Sequence, residues 1–201
     1  VGRANSLVVA VATVLLAVSI AFGQTERAVM LIVTGPVSGW PDGELREKLT
    51  RLFSMRNDFR LLSDDKADAV RDKLENRFNK QGLVADGQAS KYRYVVWCDI
   101  IKQELRVDKG FNLPLLVNQR RVSAAIEVDY QIVDCYRGRI VASDRVVLRR
   151  NGPSSTQILE DTDADPSLLL SYPQKKEVFD KLETEAAAKL LLAFVDIAKQ
   201  R

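Results

Sequence analysis

Arg121-Val122-Ser123-Ala124-Ala125-Ile126-Glu127-Val128-Asp129-Tyr130-Gln131-Ile132 alternates apolar and polar residues nearly without a break. Val122, Ala124, Ile126, Val128, Tyr130 and Ile132 fall on one side of an extended chain. Arg121, Ser123, Glu127, Asp129 and Gln131 fall on the other. A period of two predicts a strand with one covered and one wet face. Asp134-Cys135-Tyr136-Arg137-Gly138 reads as the turn that follows. Residues 140–150 return as the second arm of a hairpin, with Ile140, Ala142, Val146 and Leu148 on a shared face. Upstream, Tyr92-Arg93-Tyr94-Val95-Val96-Trp97-Cys98 is rich in aromatic and β-branched residues, as strands prefer. Residues 108–114 read as a loop. A turn near Asn112 would put Cys98 opposite Ile126 if the two strands pair antiparallel.

Toward the amino terminus, Arg27-Ala28-Val29-Met30-Leu31-Ile32-Val33-Thr34 is a continuous apolar run suited to a strand buried on both faces. Residues 35–43 carry Gly and Pro punctuation, and Asp42 is placed to cap the next helix, whose inner face is Leu45, Leu49, Leu52 and Phe53. Residues 59–62 form a short strand. Ser63 then caps a helix with the stripe Ala67, Val70, Leu74 and Phe78, and Gly82 is its expected stop. Residues 84–90 read as a connection. Residues 151–173, rich in Ser, Asp, Thr and Pro, form a long loop. Residues 174–199 close the chain as a helix marked by Val178, Leu182, Ala186, Leu190, Phe194 and Ile197. The expected order is β-α-β-α-β-β-β-α with no internal repeat. That order predicts an α/β (α+β) domain: a mixed sheet with helices packed on it and a late antiparallel hairpin.

Residues 1–23 have the layout of a secretory signal. Arg3 is followed by the apolar run from Leu7 to Phe22, and Ala21-Phe22-Gly23 puts small residues where a signal peptidase reads. Cleavage would leave residues 24–201 as one periplasmic domain of ordinary size. An uncleaved anchor is the alternative, although the run is short of the ~20 apolar residues of a spanning helix. No cysteine stands at the cleavage point, so a lipidated amino terminus is not expected.

Composition narrows the chemistry. The formal charge is +3, too close to balance to suggest nucleic acid. The chain contains no histidine, which rules out Ser–His and Cys–His nucleophilic sites within it. With only two cysteines an ordinary four-ligand zinc site is also out of reach. Cys98 and Cys135 could be bonded in an oxidising compartment, or could be two separate buried thiols; the expected register favours the second. No catalytic, cofactor-binding or metal-binding residue is expected. Gly35-Pro36-Val37-Ser38-Gly39 lies where a phosphate loop would lie but lacks its lysine pattern. Asp161, Asp163 and Asp165 resemble the start of a calcium loop without its glycine or its late glutamate. Asp64, Asp65, Glu183 and Glu185 read as dipole partners and exposed helix positions.

The remaining candidates are contact residues. Trp40 is either a partner anchor or a cover for the core. Phe111, Leu113, Leu115, Leu116 and Val117 are too many apolar residues for a solvated turn. They pack under the sheet, meet another subunit or meet a membrane surface. Arg137, Arg139, Arg145, Arg149 and Arg150 gather on the hairpin as a basic strip for an acidic partner, or as charge that protects an edge strand.

Several of these stretches together resemble the curli-secretion-channel, or CsgG-like, group of periplasmic domains. The group includes the TolB amino-terminal domain, PelC and a lipoprotein activator of penicillin-binding proteins. The resemblance rests on the strand at residues 28–34, on Phe59-Arg60-Leu61-Leu62-Ser63 entering a helix, and on Tyr94-Val95-Val96-Trp97-Cys98-Asp99. Its closest part is Val128-Asp129-Tyr130-Gln131-Ile132-Val133-Asp134 with Tyr136-Arg137-Gly138-Arg139-Ile140-Val141-Ala142-Ser143, followed by the alanine-rich last helix. It implies a non-enzymatic docking or assembly protein of an envelope export or cell-surface apparatus. Such a protein would form a homo-oligomer or bind an envelope partner, with possible peripheral contact to the outer membrane. A monomeric regulator of a cell-wall synthase is the alternative, and a carboxylate-based hydrolase a remoter one. The lipobox is absent, and the connections read as too short for the ~9–11-residue strands of a membrane barrel.

Overall fold

The computed structural model describes residues 27–35, 44–113, 117–157 and 171–199. The alternating segment lies in β4 (Val117–Asp134), which pairs antiparallel with β3 (Tyr94–Leu113) on one edge and with β5 (Arg139–Gln157) on the other. β1 (Arg27–Thr34) lies between β3 and β2 (Phe59–Leu61), parallel to both. The sheet order is β2-β1-β3-β4-β5. Four helices complete the described residues: α1 (Leu45–Ser54), α2 (Asp64–Lys73), α3 (Lys80–Ser90) and α4 (Tyr172–Lys199).

The mixed sheet has helices on both faces. On one face, Val29, Leu31, Tyr94, Val96, Cys98, Ile126, Val128 and Ile132 pack against Leu45, Leu49 and Phe53 of α1 and Leu182, Leu190 and Phe194 of α4. Phe194 is the hub, with ring centroids 5.2 Å from Phe53, 4.9 Å from Phe59 and 5.5 Å from Tyr94. On the other face, Met30, Ile32, Val95, Trp97, Val133 and Cys135 meet Ala67 and Val70 of α2 and Leu83 of α3. β1 is therefore covered on both sides, as its unbroken apolar run requires.

Local features depart from the sequence reading. The helix expected to run from Ser63 to Gly82 is two helices. Glu75 and Asn76 adopt left-handed φ values of +56° and +57°, which end α2. Asn79 then caps α3, its side chain accepting from the Gly82 N–H at 3.1 Å. Gly82 is not a stop. It lies in the first turn of α3, where a Cβ would come within 2.5 Å of Leu74 Cδ2. Residues 84–90, read as a connection, belong to α3.

The second departure concerns the strands. Residues 108–113 are strand, not loop, and β3, β4 and β5 are 20, 18 and 19 residues long. Cys98 faces Tyr130 rather than Ile126, because the strands stay paired as far as Leu113 and Val117 and shifts of register occur between Ile100 and Lys102 and between Lys109 and Asn112. β5 runs beyond Arg150 through Gly152 and Pro153. Those residues look like strand breakers, but an edge strand tolerates proline where no partner needs its missing N–H.

Replacing Phe194 by alanine is expected to lower unfolding free energy by about 3–5 kcal/mol in urea titration. A loss below about 1 kcal/mol would contradict its place at the centre of the larger core.

Candidate interaction surface

Among the described residues, α2 and α3 cover only part of their face of the sheet. Farther along, the β4 residues that alternate with the buried row, Gln131, Asp129, Glu127 and Ala125, are half-buried. Register places Ser143, Arg145, Val147 and Arg149 of β5 beside them, and Lys102, Glu104 and Arg106 of β3 on their other flank. The charges on this face are tied across the strands. Arg145 bonds Glu127 and reaches Asp129 Oδ2 from Nη2 at 2.9 Å, a two-carboxylate clamp. Hydrogen bonding to Asp129 is the main influence that raises the Arg145 guanidinium above its ordinary value. Arg149 donates to Ser123 Oγ at 3.2 Å. Glu104 sits between Lys102, at 3.0 Å, and Arg106. Partial burial works to raise its carboxyl, but the two cations outweigh it and hold Glu104 below the usual carboxylate range. The charges of the face largely pair with one another, and Val147 stands 62% exposed in its middle.

The five arginines therefore do not form one free basic strip. Arg145 is clamped, and Arg137, at the β4–β5 turn, has its backbone N–H accepted by Asp134 Oδ1 at 3.1 Å. Arg139 opens β5 opposite Asp134. Phe111 and Leu113 lie in the last rungs of β3, where Leu113 faces Val117. Trp40, Leu115, Leu116 and the acidic stretch at Asp161, Asp163 and Asp165 lie outside the described residues.

Cys98 and Cys135 are free, and they lie on opposite faces of the sheet, one in each core cluster. The disulfide considered from sequence is not formed. Burial is the first cause that pushes both thiols up to about 12, aided by Asp99 for Cys98 and by Asp134 and Asp86 for Cys135. Neither has the character of a reactive thiolate.

A cleft of about 730 Å³ opens at the carboxyl end of β1 between Thr34, Gly35, Arg71, Asn76, Asp99 and Ile101. Its polar groups already have partners: Arg71 pairs with Asp68 at 2.9 Å and Asp72 at 3.1 Å, and Thr34 Oγ1 donates to Asp99 Oδ1 at 3.2 Å. Gly35 is required there because a Cβ would approach Ile100 Cβ to 2.7 Å. Among the described residues, no group of His, Cys, Asp and Glu could hold a metal ion.

The most concentrated charge cluster escaped the sequence reading. Glu183, expected on an exposed helix position, is 3% exposed in the α1–α4–β3 interface. Lys48 of α1 reaches Glu183 Oε2 at 2.9 Å, Asp180 Oδ1 at 2.7 Å and Glu44 Oε2 at 3.3 Å. Gln103 of β3 donates to Glu183 Oε1 at 3.1 Å. Burial raises the Glu183 carboxyl above its ordinary value against the opposing pull of Lys48 and Gln103. Asp180 is lowered by its hydrogen bond from Lys48. The available signal was the row Phe179, Glu183, Ala187, whose four-residue spacing places Glu183 between two core positions. The cluster holds α4 to α1 and to the sheet.

No family model matches the chain, and no curated protein matches it. Solved structures share its arrangement at low identity. A DUF330 protein from Xanthomonas campestris aligns over 88% of this chain and 88% of its own, with TM-score 0.49 and 11% identity. The rare lipoprotein B from Shewanella oneidensis aligns over 85% of this chain and 97% of its own, with TM-score 0.41 and 12% identity. The carboxy-terminal domain of LpoB from Escherichia coli aligns over 63% of this chain and 85% of its own, with TM-score 0.39 and 16% identity. With every one of these TM-scores below 0.5, the likenesses carry no inference about what this chain binds.

Lys48→Met leaves Glu183 buried beside fewer partners and is expected to cost about 3 kcal/mol at neutral pH in urea titration. Because the folded Glu183 carboxyl lies above its unfolded value, the folded state takes up its proton first as pH falls. The deficit of the variant should therefore shrink as pH drops through the carboxylate range and be largest above it. A deficit independent of pH would contradict a buried, uncompensated Glu183.

Proposed function

We propose that this chain is an exported, non-enzymatic docking protein of a bacterial envelope apparatus, and that it binds through its long antiparallel strands. The observation that carries the reading is the β4–β5 face left uncovered among the described residues. It ends at β5, a 19-residue edge without a strand partner among the described residues, and presents Val147 between internally clamped charges. An edge of that length can take an added strand or a flat partner surface. Export rests on the leader at residues 1–23, with maturation before Gln24. The resemblance to the curli-secretion-channel group points the same way. Among the described residues no helix is long and apolar enough to cross a membrane. Trp40, Phe111, Leu113, Leu115, Leu116, Arg137 and Arg139 complete the proposed contact set, while Arg145 shapes the face through Glu127 and Asp129.

The edges favour a partner of a different kind over a ring closed through the sheet. Joining β5 of one copy to β2 of the next would match nineteen residues with three. A regulator that docks on a cell-wall synthase fits this asymmetry, as does an assembly that uses other surfaces.

A photo-crosslinking residue at Val147 is expected to give a discrete adduct in the envelope fraction of cells, on a chain that starts at Gln24. The same residue at Leu192, 61% exposed on α4, should give none. Adducts from position 192 alone, or an intact leader on soluble cytosolic protein, would contradict the proposal.

A further inference from the structure

The amino ends of β1 and β3 and the β4–β5 turn meet at one end of the sheet, and hydrogen bonds tie them together there. The Arg93 N–H donates to the Ala28 carbonyl at 3.0 Å, and the Cys135 N–H donates to the Arg93 carbonyl at 2.8 Å. Gln88, near the end of α3, donates from Nε2 to the Cys135 carbonyl at 3.2 Å. Tyr136 and Ile140 bracket the turn and are 58% and 40% exposed. Arg137 and Arg139 lie between them in sequence and are exposed as well. Lys91, exposed at the end of α3, joins them from the neighbouring segment. Asp134, the carboxylate of the turn, is fully buried and accepts from the Arg137 N–H at 3.1 Å. Among the described residues Lys91 and Arg139 pair with no carboxylate.

Exposed cations interleaved with a tyrosine and an isoleucine fit a surface that is anionic outside and apolar just beneath, which is the layering of an anionic bilayer. The sequence ahead of β1 says where such a surface lies. Arg27 opens β1 at this same end, and Val29 stands beside Tyr94 at the start of β3. The apolar run of the leader ends at Phe22, five residues before Arg27, so at most roughly 18 Å of extended chain separates the two. With that run in a bilayer, this end of the sheet is the one held close to lipid phosphates.

We propose that this end of the domain rests on an anionic lipid surface, with Lys91, Arg137 and Arg139 on lipid phosphates and Tyr136 and Ile140 at the headgroup boundary. The proposal rests on the docking reading and deepens it, because it gives Arg137 and Arg139 of that contact set a lipid partner. Val147 is seven residues along β5 from Ile140, roughly 23 Å away, and belongs to the protein-docking part of the set. A discrete adduct at Val147 without the lipid response below would overturn the lipid assignment and leave docking in place. The lipid response without that adduct would do the reverse.

The test uses the full chain with Ile140→Cys carrying an environment-sensitive fluorophore, an apolar group in place of an apolar side chain. Cys98 and Cys135 are buried, with both thiols pushed up to about 12, and stay unlabelled. A second protein carries the label at Val147→Cys. Because residues 7–22 can hold the chain on any vesicle, the reading is the local environment of each label and not co-sedimentation. Vesicles of phosphatidylcholine with about a third phosphatidylglycerol should shift the emission at position 140 to the blue and leave position 147 unchanged. Pure phosphatidylcholine, and inorganic phosphate without vesicles, should produce little shift. Lys91→Gln and Arg139→Gln together should weaken the response to anionic vesicles about tenfold or more, and salt should weaken it in the parent. No shift at position 140 on anionic vesicles would overturn the proposal. An equal shift on neutral vesicles would assign the signal to the tether and overturn it too, as would a full response in the double variant. A label already blue without vesicles would place the turn in a protein contact, with the same consequence.

Discussion

Hydrogen bonding of β4 along both of its edges is the constraint from which the rest of the architecture follows. A strand paired on one side can slip or twist away. One paired with β3 and β5 over nearly all its length has its pleat fixed, and a one-residue slip would turn Val122, Ala124, Ile126, Val128 and Ile132 out of the core together. That fixed pleat supplies part of the floor on which α4 lies. It also decides which residues are left on the uncovered side. Glu127 and Asp129 are held opposite Arg145 by the same register that buries their neighbours.

The electrostatics of the molecule are those of a scaffold. The buried Glu183 is met by Lys48 and Gln103 from two other elements, which ties a helix at each end of the sequence to the central strand. The charges on the open face close on one another across strands. Both cysteines are shielded and held protonated by burial. The functional reading therefore falls on edges and exposed apolar side chains.

Much of this could be read from the residues. The strict alternation of β4, the two-sided burial of β1 and the stripes of α1 and α4 are direct consequences of side-chain periodicity, and the element order apart from α3 follows from them. What escaped depends on pairing or on tertiary context. Residues 108–113 contain Gly, Asn and charged side chains, so their extension as strand arises from the partner beside them rather than from their own preference. Gly152 and Pro153 likewise mislead because their tolerance depends on lying at an edge. Two consecutive left-handed residues without glycine, Glu75 and Asn76, gave no local warning of a helix break. Glu183 was misplaced because a charged residue on a helix is usually outside. Only a lysine some 130 positions away in sequence makes its burial tolerable.

The claim that β3 and β4 stay paired out to the Leu113–Val117 rung is most directly tested by amide hydrogen exchange on the full chain, resolved for residues 107–113 and 117–121. The account predicts slow, ladder-like protection at the amides bonded between the two strands. Exchange across both segments at the rate of an unstructured peptide would contradict the pairing of β4 along its edge, on which the account rests.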